Sequence, residues 1–278
     1  MQKIFKTNSA AIAYRILGEG INVVLLHGFG EDSTVWNSQI DFLQSYCRLI
    51  VPDLPGSGQS VFSNDENLQS VSKHQPSSIE YYADQVRALL QHENITSCIM
   101  LGHSMGGYIT LSIAENFPSL LKGFGLIHSS AFADTDEKKE TRLRSIILME
   151  DYGAQRFLKN TTPLLFGQRF KNESPEKINK LIENGNIFSK LTLQQYYTAI
   201  MKRPDRTTVL KASDIPVLFV IGTEDIAAPL EDLLKQVHLP KIAYIHILEQ
   251  TGHMGMLEAP EKMKTALLEF IKGFISTE

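Results

Sequence analysis

Cysteine is nearly absent from this chain, with only Cys47 and Cys98 among 278 residues. So few thiols cannot build a disulfide framework, and the molecule has to be held by a packed core. Long apolar runs are missing as well: no stretch reaches the roughly 18 residues that a membrane-spanning helix needs. Residues 1–6 lack the apolar segment of a secretory leader. Neither sign of charge dominates, since 27 basic and 31 acidic residues leave a net charge of −4, which gives no electrostatic footprint for nucleic acid. No Cys or His spacing suits a metal site. Internal repeats and low-complexity segments are also lacking. The expectation is a soluble cytoplasmic protein without nucleic-acid or membrane partners, metal or cofactor. In that setting the Asn-x-Ser/Thr matches at Asn94, Asn160 and Asn172 carry no meaning. What the chain does have is apolar content, 43% of its residues, enough for one sizeable core and an insertion.

The hydrophobic pattern alternates strand and helix after an initial hairpin. Residues 3–8 and 11–17 read as paired strands, followed by a strand over 21–27, a helix near 33–46 and a short strand over 48–52. Asp53 to Ser60 is a turn, and the polar, unpatterned stretch 61–75 reads as a surface loop. A helix over about 78–93 leads to the apolar run Cys98 to Leu101, a helix ending near Pro118, and a strand over 121–129. Strands are expected again from Ile215 to Gly222 and from Ala243 to Leu248, before a last amphipathic helix. This rhythm implies a mostly parallel sheet with helices on both faces. Between Ser130 and Asp214 it disappears. Residues 136–151, 174–184 and 193–202 are helix-like there, with Ser174 suited to an N-cap and Pro175 to the first helical position.

Chemistry gathers at expected strand ends. Leu101-Gly102-His103-Ser104-Met105-Gly106-Gly107 contains G-x-S-x-G between a strand and a helix, the setting that forces a serine out above a sheet edge. Gly102 and Gly106 supply the room that such a turn needs. A serine hydroxyl is a weak nucleophile, so the turn calls for a histidine base and an acid to orient it. Asp225 follows the 215–222 strand and is the candidate acid. His253 lies in the loop after the 243–248 strand and is the candidate base. Developing negative charge needs backbone donors. We assign these to the N–H of Met105, at a helix start, and of Phe29, in the loop His27-Gly28-Phe29-Gly30.

These segments, together with Asp53-Leu54-Pro55-Gly56-Ser57-Gly58-Gln59-Ser60 and the run from Gly252 to Pro260, resemble the α/β-hydrolase superfamily. The closest likeness is to its capped serine-hydrolase branch, from about residue 4 to the C-terminus. The resemblance implies an α/β-hydrolase fold, with a core of residues 1–130 and 212–278 and a helical cap of residues 131–211. It further implies a Ser104, Asp225, His253 triad cleaving a small or medium carboxylic ester or related acyl substrate. Relatives that open epoxides or cleave carbon–halogen bonds carry Asp at the elbow, and Ser104 argues against both. A C–C bond hydrolase or lyase using the same triad remains open, as does a ligand-sensing receptor on the same scaffold.

Each assignment has a rival. His103 adjoins the nucleophile, but strand alternation is expected to point it away from Ser104. Glu224 competes with Asp225, and Asp134 is the only carboxylate near the alternative acid position after the preceding strand. His27, Gly28, Trp36, His103 and His128 are candidates for the pocket wall, with loop-holding or core packing as the rival role; Phe29 is a further aromatic candidate. The 131–211 segment has 15 basic and 10 acidic residues, a net of +5, which leaves 12 minus 21, or −9, for the remainder. That division reads either as attraction between the two parts or as steering of an anionic substrate.

Overall fold

The structure is a computed structural model, which describes residues 2–63 and 70–275. Its elements follow the order β1 (Gln2–Lys6), β2 (Ala10–Leu17), β3 (Asn22–Leu26), α1 (Asn37–Leu43), β4 (Arg48–Pro52), β5 (Val61–Phe62), α2 (Ile79–His92), β6 (Cys98–His103), α3 (Met105–Asn116) and β7 (Leu121–Ile127). Six helices then intervene: α4 (Asp136–Tyr152), α5 (Ala154–Thr161), α6 (Gln168–Glu173), α7 (Pro175–Asn184), α8 (Lys190–Lys202) and α9 (Thr207–Lys211). The chain closes with β8 (Val217–Gly222), α10 (Leu230–Leu234), β9 (Ala243–Leu248), α11 (Gly255–Glu258) and α12 (Pro260–Lys272).

One sheet runs in the order β1-β2-β4-β3-β6-β7-β8-β9, with β5 paired to β2. Pairing is parallel from β4 to β9, while β2 is antiparallel to β1, β4 and β5. The α/β-hydrolase fold and its mostly parallel sheet are therefore as expected. Strands β6 and β8 are buried at every residue, because helices cover both faces. That is why Cys98 to Leu101 and Val217 to Ile221 read as unbroken apolar runs. At the edge, β9 alternates between exposed and covered positions. From β3 the chain steps outward to β4 and then returns to place β6 on the other side of β3. The loops after β3 and β6 consequently diverge around one crevice, the usual position of ligand sites in open parallel sheets.

Local chemistry sets several boundaries. Ser78 caps α2 by accepting from the Tyr81 N–H, Thr135 caps α4 from Lys138, and Ser189 caps α8 from Thr192. Such caps satisfy donors that the first helical turn leaves open. Some expectations need correction. Ser174 makes no capping bond, although Pro175 does open α7. The helix expected over 33–46 begins as a 3-10 turn, Ser33–Trp36, and is α-helical only over Asn37–Leu43. Within the stretch read as a surface loop, Val61 and Phe62 pair with Ala11 and Ala10 as β5; residues 64–69 of that stretch lie outside the described residues. Among the described residues no helix is long and apolar enough to cross a membrane.

Candidate active site

Ser104 sits between β6 and α3 with φ 49° and ψ −113°. This backbone shape is costly for any residue with a Cβ, so the surroundings must enforce it. They do so by close approach. A Cβ on Gly102 would stand 2.2 Å from the Gly106 carbonyl, one on Gly106 would stand 2.6 Å from the Leu26 carbonyl oxygen, and one on Gly107 would stand 2.3 Å from the Ser129 Oγ. The Ser104 N–H donates to the Ile127 carbonyl at 2.9 Å, and its own carbonyl accepts from the Ser129 Oγ at 2.7 Å. The Ser104 hydroxyl makes no capping bond to α3. The amides of Phe29 and Met105 donate to no protein acceptor among the described residues, so both N–H groups are available beside the elbow.

Asp225 and His253 meet as the sequence suggests, with Nδ1 of His253 donating to Oδ2 of Asp225 at 2.8 Å. Oδ1 of the same carboxylate accepts from the amides of Ala227 and Ala228 at 2.9 and 2.8 Å. Burial would raise the Asp225 pKa, but the charges and hydrogen bonds of the facing His253 and His128 override it, and the group is held well below the usual carboxylate range. Burial alone would lower the His253 pKa; the Asp225 charge and hydrogen bond raise it instead. An ionised acid thus fixes the ring with Nδ1 protonated, leaving Nε2 as the basic nitrogen.

His128 gives the acid a second ring partner. It is fully buried at φ 49°, and its Nδ1 donates to the same Oδ2 of Asp225 at 3.1 Å. Burial pushes its pKa down to about 4, and its Nε2 is buried without a partner, as expected of a neutral ring. One possible metal-ligand atom from each of His128, Asp225 and His253 lies within 4.8 Å of the others. With both Nδ1 atoms facing an ionised carboxylate, protons occupy those contacts. No sequence motif could reveal the trio, because its members are 97 and 28 residues apart.

The remaining candidates divide. Alternation does not carry His103 away from the site, because regular strand geometry stops at Ser104. Its ring centroid is 4.8 Å from that of His253, with Nε2 donating to the His253 carbonyl at 2.9 Å and Nδ1 paired with Glu31 at 3.0 Å. Both nitrogens are engaged, so His103 holds the loop that carries His253. Glu31 is ionised, since His103 and the Gly28 amide offset its burial. His27 holds the next loop through Nε2, which contacts the Leu54 amide at 2.9 Å and Ser57 Oγ at 2.8 Å. Gly28 permits close packing, as a Cβ there would stand 3.1 Å from Ser104 Cβ. Trp36 is fully buried in the core and lines neither cavity described below. Glu224 accepts from the Gln168 amide at 2.6 Å, away from His253. Asp134 pairs with Arg142 and Arg203.

Sequence reasoning missed Glu258. Its Oε2 accepts from the amides of Gly167 and Gly252 at 2.8 and 3.0 Å, and its Oε1 from Met254 at 3.1 Å. With the His253 amide donating to the Leu165 carbonyl at 2.7 Å, the inserted helices are stitched to the loop that carries His253. A carboxylate within the apolar stretch Met254 to Pro260 was the available signal.

Comparison with known proteins agrees with this architecture. Residues 21–260 match the alpha/beta hydrolase fold family. The chain is 26% identical to an (E)-2-((N-methylformamido)methylene)succinate hydrolase of Acinetobacter baylyi, covering 96% of each chain. It is also 26% identical to a pimeloyl-[acyl-carrier protein] methyl ester esterase of Wigglesworthia glossinidia brevipalpis, covering 94% of this chain and 98% of that protein. A thermophilic esterase of Thermogutta terrifontis superposes with a TM-score of 0.87 at 26% identity, over 98% of both chains. With its serine elbow at the crevice of a mostly parallel sheet, the chain belongs to the α/β-hydrolase family of enzymes.

Proposed function

We propose that the protein is a serine hydrolase of small or medium carboxylic esters, acting through an acyl-enzyme on Ser104. The observation that carries this reading is the 2.8 Å bond from His253 to an ionised Asp225, in a fold that also has an elbow serine and two undonated amides. Ser104 Oγ adds to the ester carbonyl while Nε2 of His253 takes its proton, and Asp225 stabilises the resulting imidazolium. The N–H groups of Phe29 and Met105 hold the oxyanion. The carbon–oxygen bond to the leaving group breaks, and His253 returns the proton to that oxygen. Water then adds to the acyl carbon through the same base, releasing the acid and restoring Ser104.

In this reading residues 131–211 form a cap domain over the core of residues 1–130 and 212–278. Phe29 and Met254 share with Leu158, Leu165 and Tyr197 a cavity of only about 60 Å³, which suits a short acyl chain. A fluorophosphonate probe is expected to label Ser104 stoichiometrically, and Ser104→Ala to lose ester hydrolysis by about 10⁴-fold or more. Labelling at another serine, or turnover retained by Ser104→Ala, refutes the assignment.

A further inference from the structure

A second, larger cavity of about 430 Å³ lies where α4 and α8 meet the core. Its lining includes Tyr108, one turn along α3 from Ser104, and Ala227 and Ala228, whose amides hold Asp225. The cavity is therefore walled by the segments that carry the nucleophile and the acid. Its volume lies in the ordinary range for small-molecule sites, roughly 300–1,000 Å³.

Its charges do not balance. Asp134 faces two guanidinium groups: Arg142 Nε donates to Oδ2 at 2.7 Å, and Arg203 Nη1 stands 2.9 Å from Oδ1. These cations outweigh burial and keep Asp134 ionised. One carboxylate between two arginines leaves an excess positive charge in a largely buried place, which is unfavourable until an anion joins it. The other lining charges do not correct this, because Lys138 and Lys235 both pair with Asp232, while Asp205 is bonded to Thr207. Four cations thus meet three carboxylates around the cavity.

The two arginines are committed differently. Arg203 gives Nη1 to the Ile200 carbonyl and Nη2 to the Phe132 carbonyl. Arg142 gives Nε to Asp134 and also approaches the Tyr197 hydroxyl, but its Nη atoms meet no carboxylate or carbonyl among the described residues. Its guanidinium lies 5.1 Å from the Tyr197 ring centroid, and Tyr197 stacks on Phe29 at 4.1 Å with 14° between the planes. The cation is thus positioned by an acid and a tyrosine while its terminal nitrogens lack an anionic partner, an arrangement suited to carboxylate binding. The ring stack connects that place to the loop that carries the Phe29 amide.

We propose that Arg142 is a specificity-determining residue and that the substrate is an anionic ester, with a free carboxylate held by Arg142 in the larger cavity. The proposal rests on the hydrolase reading above and names its substrate class. Monomethyl glutarate and methyl pentanoate differ in that charge while keeping the same ester. In Arg142→Met the ratio of kcat/KM for the anionic over the neutral ester should fall about 10- to 100-fold, the worth of a charge-assisted hydrogen-bond pair. The change should appear chiefly in KM, and Arg142→Lys should fall between, because it keeps the charge without the fork. An unchanged ratio overturns the proposal. Calorimetry of glutarate binding to the Ser104→Ala protein tests the site without turnover: one bound glutarate, weakened by adding Arg142→Met, supports it, and no binding overturns it. Loss of Ser104 labelling with glutarate binding retained would instead refute the hydrolase reading alone.

Discussion

At the scale of single residues, the acid is the most constrained group, because Asp225 accepts from two rings and two amides. Replacing it by Asn offers His253 a donor where an acceptor is needed. Asp225→Asn should lower kcat by up to about 10⁴-fold with the fold retained, whereas Glu224→Gln should be mild in the same assay. Because the Asp225 charge raises the His253 pKa, the acid limb of kcat/KM should have its midpoint above the unperturbed value of about 6.5. His128 acts oppositely on stability. Its folded pKa of about 4 lies below its unfolded value, so its contribution is complete above about pH 6.5 and is lost as the pH falls through that window. The loss for one proton is about 1.4 kcal/mol per pH unit. His128→Asn keeps an N–H donor and tolerates the left-handed backbone. Urea unfolding of this variant between pH 6.5 and 4 should therefore show a shallower decline than the native protein.

At the scale of elements, the elbow depends on glycine through close approach more than through backbone freedom. Gly102→Ala would drive a methyl group against the Gly106 carbonyl, and a loss of about 1–3 kcal/mol or more is expected from the shift in urea midpoint at constant m. The sequence made this region legible because β6 and β8 are wholly buried and apolar nearly throughout, His103 at the end of β6 being the exception. It did not reveal α5 and α6, which are only 8 and 6 residues long and follow Gly153 and Gly167 without side-chain caps. Nor did it reveal β5, a two-residue strand that exists through pairing with Ala10 and Ala11. Ser104, Asp225 and His253 stood out in the sequence because each follows a recognisable strand, and the structure brings Asp225 and His253 into contact. The roles of Glu31, Glu258 and Arg142 come from contacts between segments far apart in sequence, which leave no local period. His103 was misplaced for a related reason, since alternation predicts side-chain direction only while the strand continues.

At the scale of the whole molecule, the net charge of +5 on residues 131–211 opposes −9 on the remainder. If this division draws anionic substrates in, their kcat/KM advantage over matched neutral esters should shrink between 0.1 and 1 M salt, as the Debye length falls from about 10 to 3 Å. Equal salt responses would leave surface attraction as its only role. Long-chain triglycerides should be poor substrates beside short esters, given the cavity of about 60 Å³ next to Phe29. The Glu258 carboxylate adds a kinetic consequence. Because it binds Gly167 as well as the amides flanking His253, the inserted segment cannot separate at residues 165–168 without releasing the loop that carries His253. With residues 131–211 as the proposed cap and His253 as the proposed base, the opened form would be chemically silent, and admission of substrate and proton transfer would alternate in time. The amides of Gly167, Gly252 and His253 should accordingly exchange with deuterium as one cooperative unit. Exchange at Gly167 far faster than at His253 would show that the inserted segment moves without disturbing the loop that carries His253, and that both steps can proceed from one conformation.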